Sequence, residues 1–478
     1  MRTVDNIDAF LQPASVAVIG ATDRPVSWGS FIMEGLFSWK FPGRLYPVNR
    51  QGGTIYGLPA FKDVRDIEEP IDLAILTIPR EYVEEAIKAC GEKGVRGVTV
   101  ITAGFSETIE GGRKREIAMA ELARSYGMRL LGPNVSGTFN LHAGFNASAA
   151  ALWLPHLYPT SLAAVCQGGY AFYDLLALGF PLRMGVGQFI HTGNECDLTV
   201  TDFLEYFGSD PEVKALLMYI ETLRDGGRFL EVAQRVIKEK PVIIYKAGKT
   251  SDASRAARSH TGALAGRKEI FEGVLRQAGI IISPTMELLL PLGHALIERQ
   301  PMRGKRVGIV TIGGSWGVAL TDALGEEGLS VPELSSGLQE KMRAVGLPER
   351  ASTKNPVDIG AAGLTALANE RKDVGRAMLN SDEVDALILH GMGRVGMLTA
   401  ETSDEMKSFF EFEKMTIRAF SGLEKETGKP VFIGSHFSIW ESQVVCDLNK
   451  EGIRIYNRLD EIAQILSWMY TMYRRGLS

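Results

Sequence analysis

Cysteine is scarce in this 478-residue chain: Cys90, Cys166, Cys196 and Cys446 stand far apart, with no CxxC pair and no histidine at metal-ligand spacing. That argues against a disulfide scaffold or a zinc-type cluster, and the four thiols read as reduced. Positive charge is not in excess either. The formal net charge is -5, so the chain lacks the basic footprint of a nucleic-acid binder, and any polyanionic ligand must be held by local loops. No apolar run approaches the ~18 residues of a membrane span, and the N-terminus shows no basic stretch followed by an apolar one. Neither export nor membrane insertion is expected; the reading is cytoplasmic. Low-complexity tracts and short solenoid repeats are also missing.

What the chain does have is alternation. Its length suits about three domains, each large enough to bury a core. Short apolar runs alternate with amphipathic stretches, the pattern of strands and crossover helices in an α/β protein with parallel sheets. Strands are predicted at Ser15–Gly20, Arg44–Asn49, Leu73–Ile78, Gly97–Ile101 and Met128–Leu131. Helices Ser27–Trp39, Glu81–Lys93 and Gly111–Tyr126 fall between them, giving a Rossmann-like domain over residues 1–145. A second domain, 146–298, takes strands Ser161–Val165, Gly187–Ile190, Ala215–Tyr219, Val242–Tyr245 and Ile280–Ile282. A third, 304–478, follows the linker Arg299–Gly304 with strands Arg306–Thr311, Ala386–Leu389 and Val431–Gly434. Both later domains open with a strand, a Gly-rich turn and a helix (VCQGGYAF and VTIGGSWGV), and read as two flavodoxin-like units.

Three groups of residues carry chemistry. The run Arg258–Gly266 puts His260 on a small-residue loop that could open a helix at Gly262. Backbone N–H groups and a helix dipole stabilise phosphate charge at such a spot, although a structural histidine suits a tight loop equally well. The turn Gly20-Ala21-Thr22-Asp23-Arg24-Pro25 follows a strand and precedes a helix, where a nucleotide pyrophosphate docks. It is not GxGxxG, and the second strand ends at Asn49 without the carboxylate that holds a ribose in NAD enzymes. A nucleotide other than NAD fits better. Further loops at strand ends are Pro47–Asn49, Ile78-Pro79, Thr102–Glu107 and Gly132–Asn134, where turn punctuation is the plainer reading of each one alone.

Taken in order, these blocks resemble the α-subunit type of the NDP-forming acyl-CoA synthetases, relatives of succinyl-CoA synthetase. The resemblance spans nearly the whole chain. It is carried by GATDRPVSWG at Gly20, YPVN at Tyr46, TAGFSE at Thr102, LGPN at Leu131 and GNECD at Gly193. It continues through YIETLRDGGRFLE at Tyr219, KPVIIYKAGKT at Lys240, SHTGALAG at Ser259, GGSWG at Gly313 and NPVD at Asn355. The resemblance implies a CoA-binding first domain, two ligase domains and a relay: acyl-CoA and phosphate give an acyl phosphate, which phosphorylates a histidine that then phosphorylates ADP. His260 matches the phosphohistidine and Glu221 the carboxylate orienting its imidazole; on its own Glu221 is also readable as a surface acid at a strand end. Such a carboxylate fixes the tautomer and leaves the other ring nitrogen free to attack phosphorus. Gln167-Gly168-Gly169 and Gly313-Gly314-Ser315 match two helix N-termini that hold the phosphoryl group. CoA is expected on Gly20, Ala21, Thr22, Arg24, Asn49, Pro79, Thr102, Ala103, Gly104, Phe105, Glu107 and Asn134. Lys246 and Lys249 either steer phosphate or are an exposed pair.

Departures from the family pattern sharpen the reading. Cys166-Gln167-Gly168-Gly169 replaces Ser-Gln-Ser-Gly, Glu195 stands where a lysine is usual, and Tyr170, Phe172 and Tyr173 follow directly. An acyl pocket unlike that of a plain acetate enzyme is expected. After Gly304 there is no block for an ATP-grasp domain, which needs roughly 200 residues, and no Walker A run. The expectation is therefore a hetero-oligomer whose ATP-grasp β-subunit binds Mg-ADP/ATP, with Gly248, Gly262 and Gly266 freeing the histidine loop to travel. The substrates would be a small carboxylic acid and CoA, with no metal held by this chain. A non-catalytic CoA-binding regulator of the same fold is the alternative; a nicotinamide dehydrogenase is disfavoured by Asn49.

Overall fold

The computed structural model describes residues 6–108, 111–149, 157–250, 252–253, 268–347, 351–359 and 368–476. His260 lies outside them. The chain divides into two compact units, Met1–Phe180 with Met184–Gly293, and Pro181–Arg183 with His294–Ser478.

The first unit holds two large sheets. Strands β1 (Ser15–Ile19), β2 (Arg44–Val48), β5 (Leu73–Leu76), β6 (Gly97–Val100) and β7 (Arg129–Leu131) form a parallel sheet in the order β2-β1-β5-β6-β7; β3 (Thr54–Ile55) and β4 (Leu58–Pro59) make a small hairpin beside it. The second sheet contains β8 (Gly137–Asn140), β9 (Phe145–Ser148), β10 (Leu162–Cys166), β11 (Gln188–His191), β12 (Ala215–Ile220), β13 (Val242–Lys246) and β14 (Ile281–Ile282). Its order is β14-β13-β12-β10-β11-β8-β9, parallel except for β8, which runs against β11, and β9, which runs against β8. One apolar cluster reaches from Val16 and Ile75 of the first sheet to Val165, Ile190 and Met218 of the second.

The second unit carries β15 (Val307–Thr311), β16 (Val357–Asp358), β17 (Ala386–His390), β18 (Val431–Gly434) and β19 (Ile455–Tyr456), all parallel in the order β16-β15-β17-β18-β19. Its core gathers Val310, Leu387, Leu389, Phe420 and Ile433.

Reading only the parallel strands, all three sheets share one order, 2-1-3-4-5. The first strand of each has neighbours whose connections run to opposite sides, so a crevice opens beyond its C-terminal end. The residues there are Gly20, Gln167 and Ile312–Gly314. The local reasons are ordinary. β12, ALLMYI, is almost wholly apolar, as an interior parallel strand covered on both faces must be. The helix Gly226–Val236 starts where Asp225 accepts the Arg228 N–H at 2.9 Å, and buries Phe229, Val232, Ala233 and Val236 along one face. Each large side chain so buried contributes about 1.5–3 kcal/mol.

Six strands were not foreseen: the short β3, β4, β16 and β19, and the longer β8 and β9. β8 and β9 extend the second sheet with buried Thr138, Asn140, Asn146 and Ser148, a polar composition that reads as loop. Elsewhere the foreseen strands appear within a residue or two of their expected ends.

Candidate functional site

The first crevice is built on Gly20. Its φ is +96°, and a Cβ there would lie 2.7 Å from Thr77 Oγ1, so only glycine fits the turn. The helix Trp28–Ser38 presses close: a Cβ on Gly29 would meet the Gly20 carbonyl oxygen at 2.1 Å. Ser27 caps that helix, its hydroxyl accepting the Ser30 N–H at 3.2 Å. Asn49 locks the turn from β2, its Nδ2 donating to the Ala21 carbonyl at 2.9 Å. A groove of about 1090 Å³ opens beside it, lined by Gly20, Thr22, Arg24, Asn49, Arg50 and Pro79. Cationic side chains at a helix N-terminus suit a nucleotide's phosphates. Ala21 is fully buried and contributes its carbonyl rather than a wall.

Trp28 lines both this groove and a cavity of about 370 Å³ further in. Ala103, Asn134, Gly168, Gly169, Tyr219 and Glu221 also line the cavity. Thr102, Gly104, Phe105 and Glu107 build the neighbouring loop instead. Thr102 Oγ1 donates to the Ile78 carbonyl at 2.6 Å, Phe105 is fully buried, and Glu107 accepts the backbone N–H groups of Gly104 and Phe105. Asn194 clasps that loop from the second sheet, its Nδ2 donating to Glu107 Oε2 at 2.6 Å and Glu116 Oε1 at 2.7 Å.

Gln167 occupies the centre of the wall. Its backbone N–H is used by the Tyr219 carbonyl at 3.1 Å, and its side-chain oxygen accepts the N–H groups of Glu221 at 2.6 Å and Thr222 at 2.9 Å. Its Nε2 donates to the Thr222 carbonyl at 2.8 Å. The side chain therefore braces the Glu221 loop, and Gln167 also lines the cavity. Lys246 adds a second brace, its Nζ donating to the Glu221 carbonyl at 2.7 Å; burial lowers its pKa. Lys249 instead reaches the Pro284 carbonyl at 2.8 Å.

Gly168 and Gly169 open the helix Gly169–Gly179 with no side-chain cap. A Cβ on Gly169 would fall 2.2 Å from Ser136 Oγ and 2.5 Å from His191 Nδ1, so only glycine fits against them. A Cβ on Gly168 would lie 3.0 Å from the Tyr219 ring and 3.3 Å from Glu221 Oε1. Sequence reasoning missed His191 and Ser136 behind this turn, where Tyr173 also lies. The His191 Nδ1 accepts the Ser136 N–H at 2.7 Å, which leaves Nε2 protonated and donating to the Gln167 carbonyl at 2.8 Å. Tyr173 OH donates to the Ser136 carbonyl at 3.2 Å, and burial pushes its pKa up.

The departures occupy different places. Tyr170 lines the cavity, while Phe172 and Tyr173 pack on Phe189. Glu195 is buried behind Gln167 and does not line the cavity. In the second unit, Gly313 has φ +134° and its N–H meets Asp358 Oδ1 at 3.3 Å; Gly314 and Ser315 begin the helix Gly314–Glu326. Among the described residues no group of three or more His, Cys, Asp or Glu side chains could hold a metal.

A braced, buried carboxylate facing a bare helix N-terminus is an arrangement that can hold an anion and a hydrogen-bonded base together. Comparison with known proteins gives this geometry a context. Residues 14–139 match a model described as a CoA binding domain, and residues 159–296 match the succinyl-CoA ligase like flavodoxin domain. The chain is 36% identical over 462 residues to the α-subunit of an ADP-forming acetate–CoA ligase II of Pyrococcus furiosus, covering 96% of each. It is 36% identical over 347 residues to an ADP-forming acetate–CoA ligase of Methanocaldococcus jannaschii, covering 73% of this chain and 48% of that one. The solved dinucleotide-forming acetyl-coenzyme A synthetase 1 of Ca. Korarchaeum cryptofilum, in complex with phosphate and ADP, superposes with a TM-score of 0.85 at 30% identity over 98% of each chain.

Proposed function

This chain belongs to the family of ADP-forming acetate–CoA ligases, in its α-subunit form, and we propose that Glu221, His260 and its glycine turns run a phosphoryl relay between an acyl-CoA and a nucleotide. As a ligase of that family it interconverts acyl-CoA, phosphate and ADP with a carboxylic acid, CoA and ATP. The observation that carries the relay is the pairing of Glu221, braced by Gln167, with the bare helix N-terminus at Gly168-Gly169 on one cavity.

The CoA phosphates bind in the groove at Gly20, Thr22, Arg24, Asn49 and Pro79. The thioester end passes Trp28 into the cavity, beside Ala103 and Asn134. A phosphate oxygen attacks the thioester carbonyl, the C–S bond breaks, and the thiolate leaves with the proton released by phosphate. An acyl phosphate results. A ring nitrogen of His260 then attacks phosphorus, the P–O bond to the acyl group breaks, and the carboxylate departs. Glu221 accepts the N–H of the other ring nitrogen and stabilises the charged imidazole. The helix N-terminus at Gly168-Gly169 offsets the charge of the phosphoryl group. A terminal phosphate oxygen of ADP finally takes the phosphoryl group from nitrogen.

The nucleotide site lies on a partner, an ATP-grasp β-subunit, in a hetero-oligomer. Support comes from the α-subunit naming of one relative and from the greater length of the M. jannaschii chain. A relay that uses CoA and ADP belongs in the cytoplasm, and no described helix is long and apolar enough to cross a membrane.

The test is a phosphoenzyme assay. The chain is incubated with labelled inorganic phosphate and a panel of acyl-CoAs, then with its nucleotide-binding partner and labelled ATP. Acid-labile label lost in His260→Ala and reduced at least tenfold in Glu221→Gln is expected. A wild-type chain that binds CoA and takes no label by either route would be a CoA-binding regulator instead.

A further inference from the structure

Two glycines in succession leave the turn after β10 under-determined. Gly168 stands at φ -109° and ψ 106°, Gly169 begins the helix, and no side chain caps it. With no Cβ on either residue, sterics alone do not fix how the Gln167–Gly168 peptide is rotated. Its rotation matters, because in a trans peptide the C=O and the N–H point in opposite directions. Whatever holds the Gln167 carbonyl therefore also aims the Gly168 N–H, which no acceptor among the described residues takes.

His191 holds that carbonyl. It ends β11 beside Cys166 at the end of β10, is buried, and lines the cavity together with Gly168 and Glu221. Its Nε2 lies 2.8 Å from the Gln167 carbonyl oxygen. On the other side of the ring, Nδ1 receives the Ser136 N–H at 2.7 Å. A backbone amide can only donate, so Nδ1 is an acceptor and the proton of the neutral ring sits on Nε2, facing the carbonyl. Ser136 is fixed from behind in turn: its carbonyl accepts the Tyr173 hydroxyl at 3.2 Å, and its own hydroxyl donates to the Tyr173 oxygen at 3.1 Å. A Cβ on Gly169 would fall 2.5 Å from Nδ1, so the second glycine is what lets the ring come this close.

We propose that His191 is a positioning residue of the relay: held by Ser136 in its Nε2-protonated form, it fixes the Gln167 carbonyl and so aims the Gly168 N–H at an oxygen of the incoming phosphate. The inference rests on the reading above, in which the Gly168-Gly169 turn receives phosphate, and adds the side chain that sets the turn's geometry. Gln167 then works in two directions. Its backbone carbonyl, held by His191, orients the donor, and its side-chain oxygen, on the Glu221 N–H at 2.6 Å, orients the carboxylate. Donor and carboxylate are set relative to one another through a single residue.

The experiment separates the two ring nitrogens. A glutamine Nε2 can take the place of the imidazole Nε2, so His191→Gln keeps a donor for the Gln167 carbonyl. An asparagine Oδ1 can replace only Nδ1, so His191→Asn keeps the acceptor for Ser136 and loses the donor. The full chain, saturated with CoA, is titrated with inorganic phosphate in a calorimeter. His191→Asn should weaken phosphate at least tenfold, with CoA affinity within twofold of wild type, and His191→Gln should keep phosphate within threefold. Equal losses in both variants, no loss in either, or a wild type that binds no phosphate overturn the assignment, even if His260 is phosphorylated. A second measurement needs only one variant to fold. In wild type labelled in its histidine ring nitrogens, the signals that His191→Gln or His191→Asn removes should show a protonated Nε2 and a bare Nδ1; the opposite tautomer overturns the assignment. Phosphate binding in the expected pattern, with no label taken from acyl-CoA and phosphate, leaves His191 in its role and removes the relay.

Discussion

The side-chain oxygen of Gln167 receives the backbone N–H of Glu221 at 2.6 Å, joining the end of β10 to the end of β12. With Thr222 N–H on the same oxygen at 2.9 Å, one amide fixes the loop that aims the carboxylate. The residue matched to phosphate binding thus also positions Glu221.

Replacing it tests that role. Gln167→Leu leaves two buried N–H groups without an acceptor, at about 1–3 kcal/mol each. Phosphoenzyme formation should fall tenfold or more, while CoA affinity, with CoA proposed to bind in the groove at Gly20, changes less than twofold. Equilibrium dialysis with CoA and the labelling assay separate the two. Equal losses in both would mean that Gln167 serves general stability alone.

Gly168 reads differently once the cavity is known. A Cβ there approaches the Tyr219 ring at 3.0 Å and Glu221 Oε1 at 3.3 Å, tighter than ordinary packing. Gly168→Ser should therefore lower kcat/KM about tenfold across a panel of acids, and Tyr219→Leu in the same chain should recover most of it. Steady-state kinetics on the double-mutant cycle decides; additive losses would show that crowding at Tyr219 is not the cause.

Asn49 was read as the absence of a ribose-binding acid, and the structure shows what the amide does instead. Its Nδ2 donates to the Ala21 carbonyl at 2.9 Å. Asn49→Asp cannot donate and places a negative charge against a carbonyl and beside the groove proposed to hold the CoA phosphates. Calorimetry should show CoA binding weakened five- to fiftyfold, with no gain of NADH binding. Undiminished CoA affinity would remove Asn49 from the site.

These cases show which features were legible. The strand ends and glycine turns stood out because interior parallel strands are short apolar runs closed by glycine. The hairpin β8–β9 was hidden because GTFN and FNAS carry the polar residues of a loop, though the sheet buries them. His191 and Ser136 were hidden for another reason. They are 55 residues apart in sequence and meet only through the packing of β11 on β8. The lysine-to-glutamate departure at Glu195 was visible, but its direction was not: the side chain turns inward behind Gln167.

That inward turn gives the last prediction. Glu195 has φ 54° and is 2% exposed; its Oε1 accepts from Thr192 Oγ1 at 2.9 Å and from Val200 N–H at 3.1 Å, while Oε2 has no partner. Burial pushes its pKa from 4.5 up to about 7, against the lowering effects of Gln167, Thr192 and Arg224. Between those two values the folded chain keeps a proton that the unfolded chain releases. The stabilisation is therefore complete below about pH 4.5 and is lost as pH rises through about 7. Glu195→Gln is neutral at every pH and keeps an oxygen for Thr192 and Val200. It should be the more stable protein at pH 8, by roughly 1–3 kcal/mol, with the difference shrinking towards pH 5. Urea unfolding of both proteins at pH 5.5, 7 and 8.5 measures this directly. A difference that stays constant, or grows as the pH falls, would mean that the carboxyl is already ionised in its buried place and held by Arg224.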